Sequence, residues 1–220
     1  MMRMPVSLLT LLLLVALSSG CASRREMPLD VALFPKTPVA ADTRVPGRVA
    51  VLLQPAVQDL VHEGDAGLAR GMRVPIGRIV ASAMLASASE AFAGGVERLD
   101  APAGEDARHT ATLMVQSVRI SYHQRLLWFV PLPYLGGLGD QEFSVDLALD
   151  VTVLDSQGRV VWTRVYDDGR QIWPHAWTEQ GKAADGLLRV THEAAWRQAQ
   201  QATRDVREWA EAERMRPRSL

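Results

Sequence analysis

The side chains able to do chemistry are few and scattered. Five His stand at 62, 109, 123, 175 and 192. None has a second His three or four residues away, so the paired His of a helical zinc site is missing from the sequence. His62-Glu63-Gly64-Asp65 gathers an imidazole and two carboxylates, a set able to ligate a metal. "HEGDAG" lacks the alternating acidic pattern of a calcium loop, however, and reads first as a solvated Gly-rich loop. Neither a nucleophile elbow of Gly, Ser and Gly nor a phosphate-binding P-loop is present. Asp167-Asp168 follows an apolar run and reads as the start of a turn. His175, between Trp173 and Trp177, is the one candidate for acid–base work; its plainer role is a hydrogen bond to a loop carbonyl. The expectation is a non-enzymatic protein with no catalytic residue, metal or cofactor.

The remaining reactive group is Cys21, the only Cys among 220 residues. It follows Arg3 and an apolar run from Val6 to Leu17, 12 residues long. That run is short of the roughly 20 residues needed to cross a bilayer and has the form of a secretory signal. An exported chain with one Cys has no internal disulfide, and its free thiol would be a liability in an oxidising compartment. Gly20-Cys21, after the small residues of "ALSSG", resembles the lipobox of bacterial lipoproteins, with Ser18 where Leu is usual. The resemblance implies cleavage between Gly20 and Cys21, a diacylglyceryl group on the Cys21 thiol and an acyl chain on its amine. It thereby implies that thiol catalysis is ruled out and that the membrane is held through a lipid anchor. Ala22 and Ser23 follow instead of the aspartate that retains many lipoproteins in the inner membrane, which favours a periplasm-facing place on the outer membrane.

Removing residues 1–20 takes away Arg3 alone and leaves 23 basic and 25 acidic side chains, a net of −2. That balance argues against nucleic acid as a partner. The order read from the chain is a signal peptide over 1–20, the lipidated Cys and a tether over 21–47, and one domain over 48–215. Pro28, Pro35, Pro38 and Pro46 make the tether semi-extended, with a straight reach of about 80 Å.

Periodicity then assigns the elements that must position everything else. "RVAVLLQP" at 48–55 reads as a buried strand, 62–73 as a loop, and Pro75 to about Phe92 as a helix stopped by Gly94-Gly95. Residues 110–125 alternate as a strand. Phe143, Val145, Leu147, Leu149, Val151 and Val153 alternate with polar or small residues as a second. "DSQG" at 155–158 is a turn and Val160–Tyr166 the returning strand. Leu188, Thr191, Ala195, Ala199, Ala202, Val206 and Trp209 step by three and four, predicting a helix of about 28 residues with Asp185 as N-cap. The order β-α-β-β-β-α predicts an α+β fold: a mainly antiparallel sheet with helices packed on one face and a long C-terminal helix. This order, with "VDLALDVTVLDSQGRVVWTRVYDDG", resembles a broad group of small periplasmic envelope-assembly lipoproteins. The group includes the lipopolysaccharide-assembly lipoprotein LptE and domains like the amino-terminal domain of TolB. The resemblance implies an envelope-complex role and carries no catalytic residue across.

"LLWFVPLPYLGGLG" at 126–139 is uncharged, and its three Gly and two Pro predict an irregular connection. The strand directions put it at the same end of the sheet as "GRQIWPHAWTEQGK" at 169–182. Trp128, Phe129, Leu132, Tyr134, Trp173 and Trp177 are therefore the candidate partner-binding residues. Three roles stand open: a cap over the core, a surface for a partner or apolar ligand, and insertion into the headgroup zone of a membrane. The functional expectation is a membrane-anchored, non-enzymatic subunit or accessory of a cell-envelope complex, with an envelope protein as partner. The alternative is a small-ligand-binding or hydrolytic enzyme using the aromatic end.

Overall fold

The computed structural model describes residues 25–26, 44–66, 69–101, 109–130, 138–167, 171–176 and 183–215. Its elements in chain order are β1 (Arg25–Glu26), β2 (Val49–Leu53), α1 (Pro55–Gln58), β3 (His62–Ala66), β4 (Ala69–Val74) and α2 (Ile76–Ala91). They continue with β5 (Val96–Leu99), β6 (Ala111–Val130), β7 (Leu138–Asp155), β8 (Val160–Tyr166), β9 (Gln171–Ala176) and α3 (Ala183–Met215). The expected α+β class holds. The strands predicted over 48–55, 110–125, 143–153 and 160–166 and both long helices are present.

The main sheet has the order β5-β2-β6-β7-β8, with β9 also pairing β7. β2 runs parallel to both neighbours, and β6, β7, β8 and β9 pair antiparallel. β2 is flanked on both sides, which is why "VAVLL" is apolar throughout and wholly buried. The chain leaves β2, descends through α2 and returns parallel as β5, the crossover that parallel neighbours require. Helices α2 and α3 pack on each other and on the same face of the sheet. The alternating residues Phe143 to Val153 of β7 supply the centre of that interface, each no more than 1 % exposed. Ala194, Ala195, Ala199 and Ala202 of α3 are fully buried, so the small-residue stripe lets the helix lie close.

Helix α3 begins at Ala183, before Asp185, and its 33 residues span roughly 50 Å. Three contacts fix it to β8. Tyr166 donates its O–H to Asp205 Oδ2 at 2.9 Å, and Arg164 pairs with the same oxygen. Trp162 meets Trp209 edge to face with ring centroids 6.0 Å apart. The β7–β8 turn is equally specified. Gly158 takes φ +74°, and Asp155 Oδ1 accepts from the N–H groups of Gln157 and Arg159 at 2.8 and 2.9 Å. Burial alone would raise the Asp155 carboxyl. Those N–H groups and the Arg159 guanidinium outweigh it and hold the carboxyl below its ordinary value.

Three segments depart from the expected pattern. Of residues 62–73, expected as a loop, 62–66 and 69–73 lie in the antiparallel strands β3 and β4, with Glu63 and Arg73 paired in register and joined by an ion pair at 3.4 Å. Burial of Met72 and Val74 holds this glycine-bearing stretch extended against the domain. Residues 126–130 and 138–139, expected as irregular, continue β6 and β7. Residues 171–176, expected inside a connection, form β9. A further pairing was not foreseen: β1 adds parallel to β4, so that β1, β4 and β3 make a second sheet.

Candidate functional site

The aromatic end is built as a three-stranded extension of the main sheet. β6 and β7 stay in register from Ala111↔Asp155 to Val130↔Leu138, with irregularities between Val115 and Ser117 and between Leu126 and Trp128. Past Val145 the free edge of β7 is taken by β9, from Val145↔Gln171 to Asp140↔Ala176. Leu, Trp, Phe and Val suit a pleated strand, and four of the five prolines and glycines that argued against one fall between the two strand ends in sequence, Gly139 alone lying within β7. Pro174 sits in β9 opposite Glu142. A residue without an N–H is tolerated there because β9 has β7 on one side only.

Of the predicted contact residues, Trp128 and Phe129 lie on β6 and Trp173 on β9, flanking β7. Trp128 is in register with Asp140, and Asp140 with Ala176. Phe143 joins Gln124 on one side to Trp173 on the other. His175 is in register with Gln141. Leu132, Tyr134, Trp177, Gly20 and Cys21 lie outside the described residues.

The base of this extension is fastened to both the hairpin and the helix. His62 of β3 packs on Tyr122 of β6, ring centroids 4.6 Å apart. The Thr191 hydroxyl donates to Leu187 O at 2.7 Å, so its oxygen accepts the Tyr122 O–H at 3.2 Å. Burial holds the His62 imidazole below 6.5 and pushes the Tyr122 phenol up to about 12. Tyr166 is also pushed to about 12, by burial and then by the Asp205 carboxylate. The unfolded phenols ionise near 10, below their folded values, so the fold favours the neutral form. Stability contributed by these tyrosines is full below about pH 10 and is lost as pH rises from about 10 to about 12. Thermal melts across that range are expected to show the decline, and Tyr122→Phe to show less of it. An equal decline in Tyr122→Phe would exclude Tyr122 as a source.

Below the extension, β7 residues 146–148 have no pairing on their outer edge among the described residues: β8 ends opposite Leu149 and β9 starts opposite Val145. A shallow depression of about 360 Å³ lies at this gap, lined by Arg119, Ile120, Ser121, Asp146, Leu147, Ala148 and Asp167. His123 Nε2 lies 3.1 Å from Asp146 Oδ2, both side chains about half exposed. An exposed pair of this kind contributes at most about 1 kcal/mol. Sequence reasoning did not assemble this group. Its polar side of β6 was visible in the alternation of 117 to 123, but the strand register that sets it beside Asp146 was not. Asp167 lines the depression with it. Among the described residues, no three His, Cys, Asp or Glu gather in metal-binding geometry.

No family model and no curated protein matches this chain. Among solved structures, an uncharacterized lipoprotein B from Nitrosomonas europaea is similar at 14% identity and a TM-score of 0.45, covering 84% of this chain and 94% of that one. The rare lipoprotein B of Shewanella oneidensis is similar at 10% identity and a TM-score of 0.38, covering 74% and 98%. A minor lipoprotein of Acinetobacter baumannii is similar at 14% identity and a TM-score of 0.35, covering 73% and 92%.

Proposed function

We propose that this protein is a lipoprotein anchored through acylated Cys21 to the periplasmic side of the outer membrane, where it serves as a non-enzymatic subunit or accessory of a cell-envelope complex. The observation that carries the anchor is a solitary Cys directly after Gly20 and a 12-residue apolar run. The surface that meets the complex is the sheet end formed by the strands of Trp128, Phe129 and Trp173, with Leu132, Tyr134 and Trp177 of the adjoining sequence as further contact residues. Its support is that the uncharged residues 126–130 continue β6 in register with β7 beyond the core positions Phe143 to Val153, which is more than a cap over that core requires. A small-ligand or hydrolytic role rests on the depression beside Asp146 and Asp167, whose walls are open and solvated.

Cys21→Ser is expected to abolish incorporation of a clickable palmitate analogue and to move the protein from the membrane to the soluble fraction. Persistent labelling, or an unchanged membrane fraction, would remove the anchor from the proposal. Trp128→Ala/Phe129→Ala is expected to lose crosslinked envelope partners while melting as the wild type does. Equal capture by both would return those residues to a capping role.

A further inference from the structure

The two outer strands of the path β5-β2-β6-β7-β8 are built differently. β5 has four residues, two of them charged, and its Glu97 is tied to Arg48 and to His109, each at 3.1 Å. A short, charged edge discourages further pairing. β8 has seven residues and no Pro, and no strand lies on its outer side among the described residues. Its Trp162, Arg164 and Tyr166 meet Trp209 and Asp205 of α3, so they belong to the helix-covered face. Thr163, bonded to Thr152 at 2.9 Å, and Val165 belong to the other face. The register slips by one residue between Val153 and Leu154. Val161 is thereby left opposite no residue of β7, and Val160 returns to the face of Thr163 and Val165. Val160 and Val165 are 64 % and 44 % exposed, so this open edge presents apolar side chains to water.

We infer that β8 pairs antiparallel with β8 of a second copy of this chain, about a two-fold axis at Thr163, joining the two main sheets into one. The inference stands apart from the lipidation of Cys21. Unused N–H and C=O groups along the edge supply the main-chain bonds, and side-chain matching selects the axis. With the axis at Thr163, Val160 of each copy stands opposite Val165 of the other, so each exposed valine is covered by a valine. The slip at Val161 is accommodated as it already is on the inner side. Arg164 and Val165 of the second copy take the places that Val153 and Leu154 of β7 take there. On the helix-covered face Arg164 stands opposite Trp162 of the second copy, a cation beside an aromatic ring. The ends are complementary in charge: Arg159, its side chain 73 % exposed, falls within one position of the exposed Asp167 of the second copy. An axis at Arg164 would set two guanidinium groups face to face, which is destabilising. One at Trp162 or at Val165 would leave a valine uncovered.

The test uses the full chain in the membranes of cells expressing it, oxidised with copper phenanthroline. Cys21 gives the same background in the wild type and in every variant. Residues directly opposite each other have Cβ atoms about 4.5–5.5 Å apart, close enough for a disulfide with little strand movement. Thr163→Cys is therefore expected to form a disulfide-linked dimer well above the wild-type background. Val165→Cys should stay at that background, because its two new thiols lie four strand positions apart, about 13 Å. Val160→Cys/Val165→Cys should crosslink again. No gain in Thr163→Cys, or equal crosslinking of Thr163→Cys and Val165→Cys, would overturn the pairing. Sedimentation of the purified full chain in detergent supplies the second measurement. Val165→Lys places a charge opposite Val160 of the second copy and is expected to weaken the dimer about tenfold or more. Its melting temperature should match the wild type, since the side chain it replaces is exposed. A dimer of undiminished affinity in Val165→Lys, or a wild type that stays monomeric at millimolar concentration, would overturn the inference as well.

Discussion

Phe143→Ala is expected to lower stability by about 3–5 kcal/mol, the usual loss for emptying a buried aromatic site. Phe143 is 1 % exposed and among the largest fully buried side chains. It occupies a register position at which β7 is paired on both sides, with Gln124 of β6 and Trp173 of β9. Its removal opens a cavity where the helix-covered core passes into the extension. The midpoint of urea unfolding should fall accordingly, and amide exchange in β9 should accelerate more than exchange in β2. A loss below about 1 kcal/mol would mean that the site collapses freely, as a loosely packed junction would.

Gly77→Ala is the second large effect, and two opposing terms decide its sign. Replacing Gly by Ala inside a helix normally stabilises by about 1 kcal/mol. Here the added Cβ would sit 2.0 Å from Val57 O and 2.5 Å from Gln58 O, both backbone atoms. Neither can swing aside as a side chain would. The Gly77 N–H also donates to Leu60 O at 3.0 Å, so the start of α2 cannot shift without breaking that bond. Overpacking of this kind typically costs about 1–3 kcal/mol, and more where the backbone must move. The variant should therefore be destabilised, and its hairpin, which enters α2 through Val74 and Pro75, should become susceptible to proteolysis first. A variant more stable than the wild type would show that α1 yields without penalty.

Much of the fold was legible because one face of it is buried. The strict alternation from Phe143 to Val153 marked β7, "DSQG" marked the turn, and the steps of three and four from Leu188 to Trp209 marked α3. Each pattern is a direct trace of which side chains meet the core. The candidate site was less legible, for a physical reason. Its strands are defined by backbone pairing, and local composition argues against them. Gly64 and Gly71 hid the hairpin, Pro174 hid β9, and the Gly and Pro of 131–137 hid the last residues of β6. β5, with only Val96 to Leu99, is too short to show a period. Two residues, Arg25 and Glu26, carry no signal of pairing with Met72 and Arg73, and the tether therefore read as free. The direction of three consecutive strands was enough, however, to place Trp128 and Trp173 at one end, because that argument needs topology rather than register.

The position of β2 also governs the order in which the fold can be completed. β6, β7 and β8 form a meander whose neighbours are joined by short connections, so their contacts close locally. β2 has to pair with Val96–Leu99 and with Ala111–Val115, partners that follow it by dozens of residues. Non-local pairing of this kind is slow, because the intervening chain must be ordered before the contacts form. In a chain that emerges amino end first, the five apolar residues Val49 to Leu53 stay without partners until β5, and then β6, have followed. During that interval "VAVLL" is an open, sticky strand, and it is the segment whose exposure an escorting chaperone would have to cover.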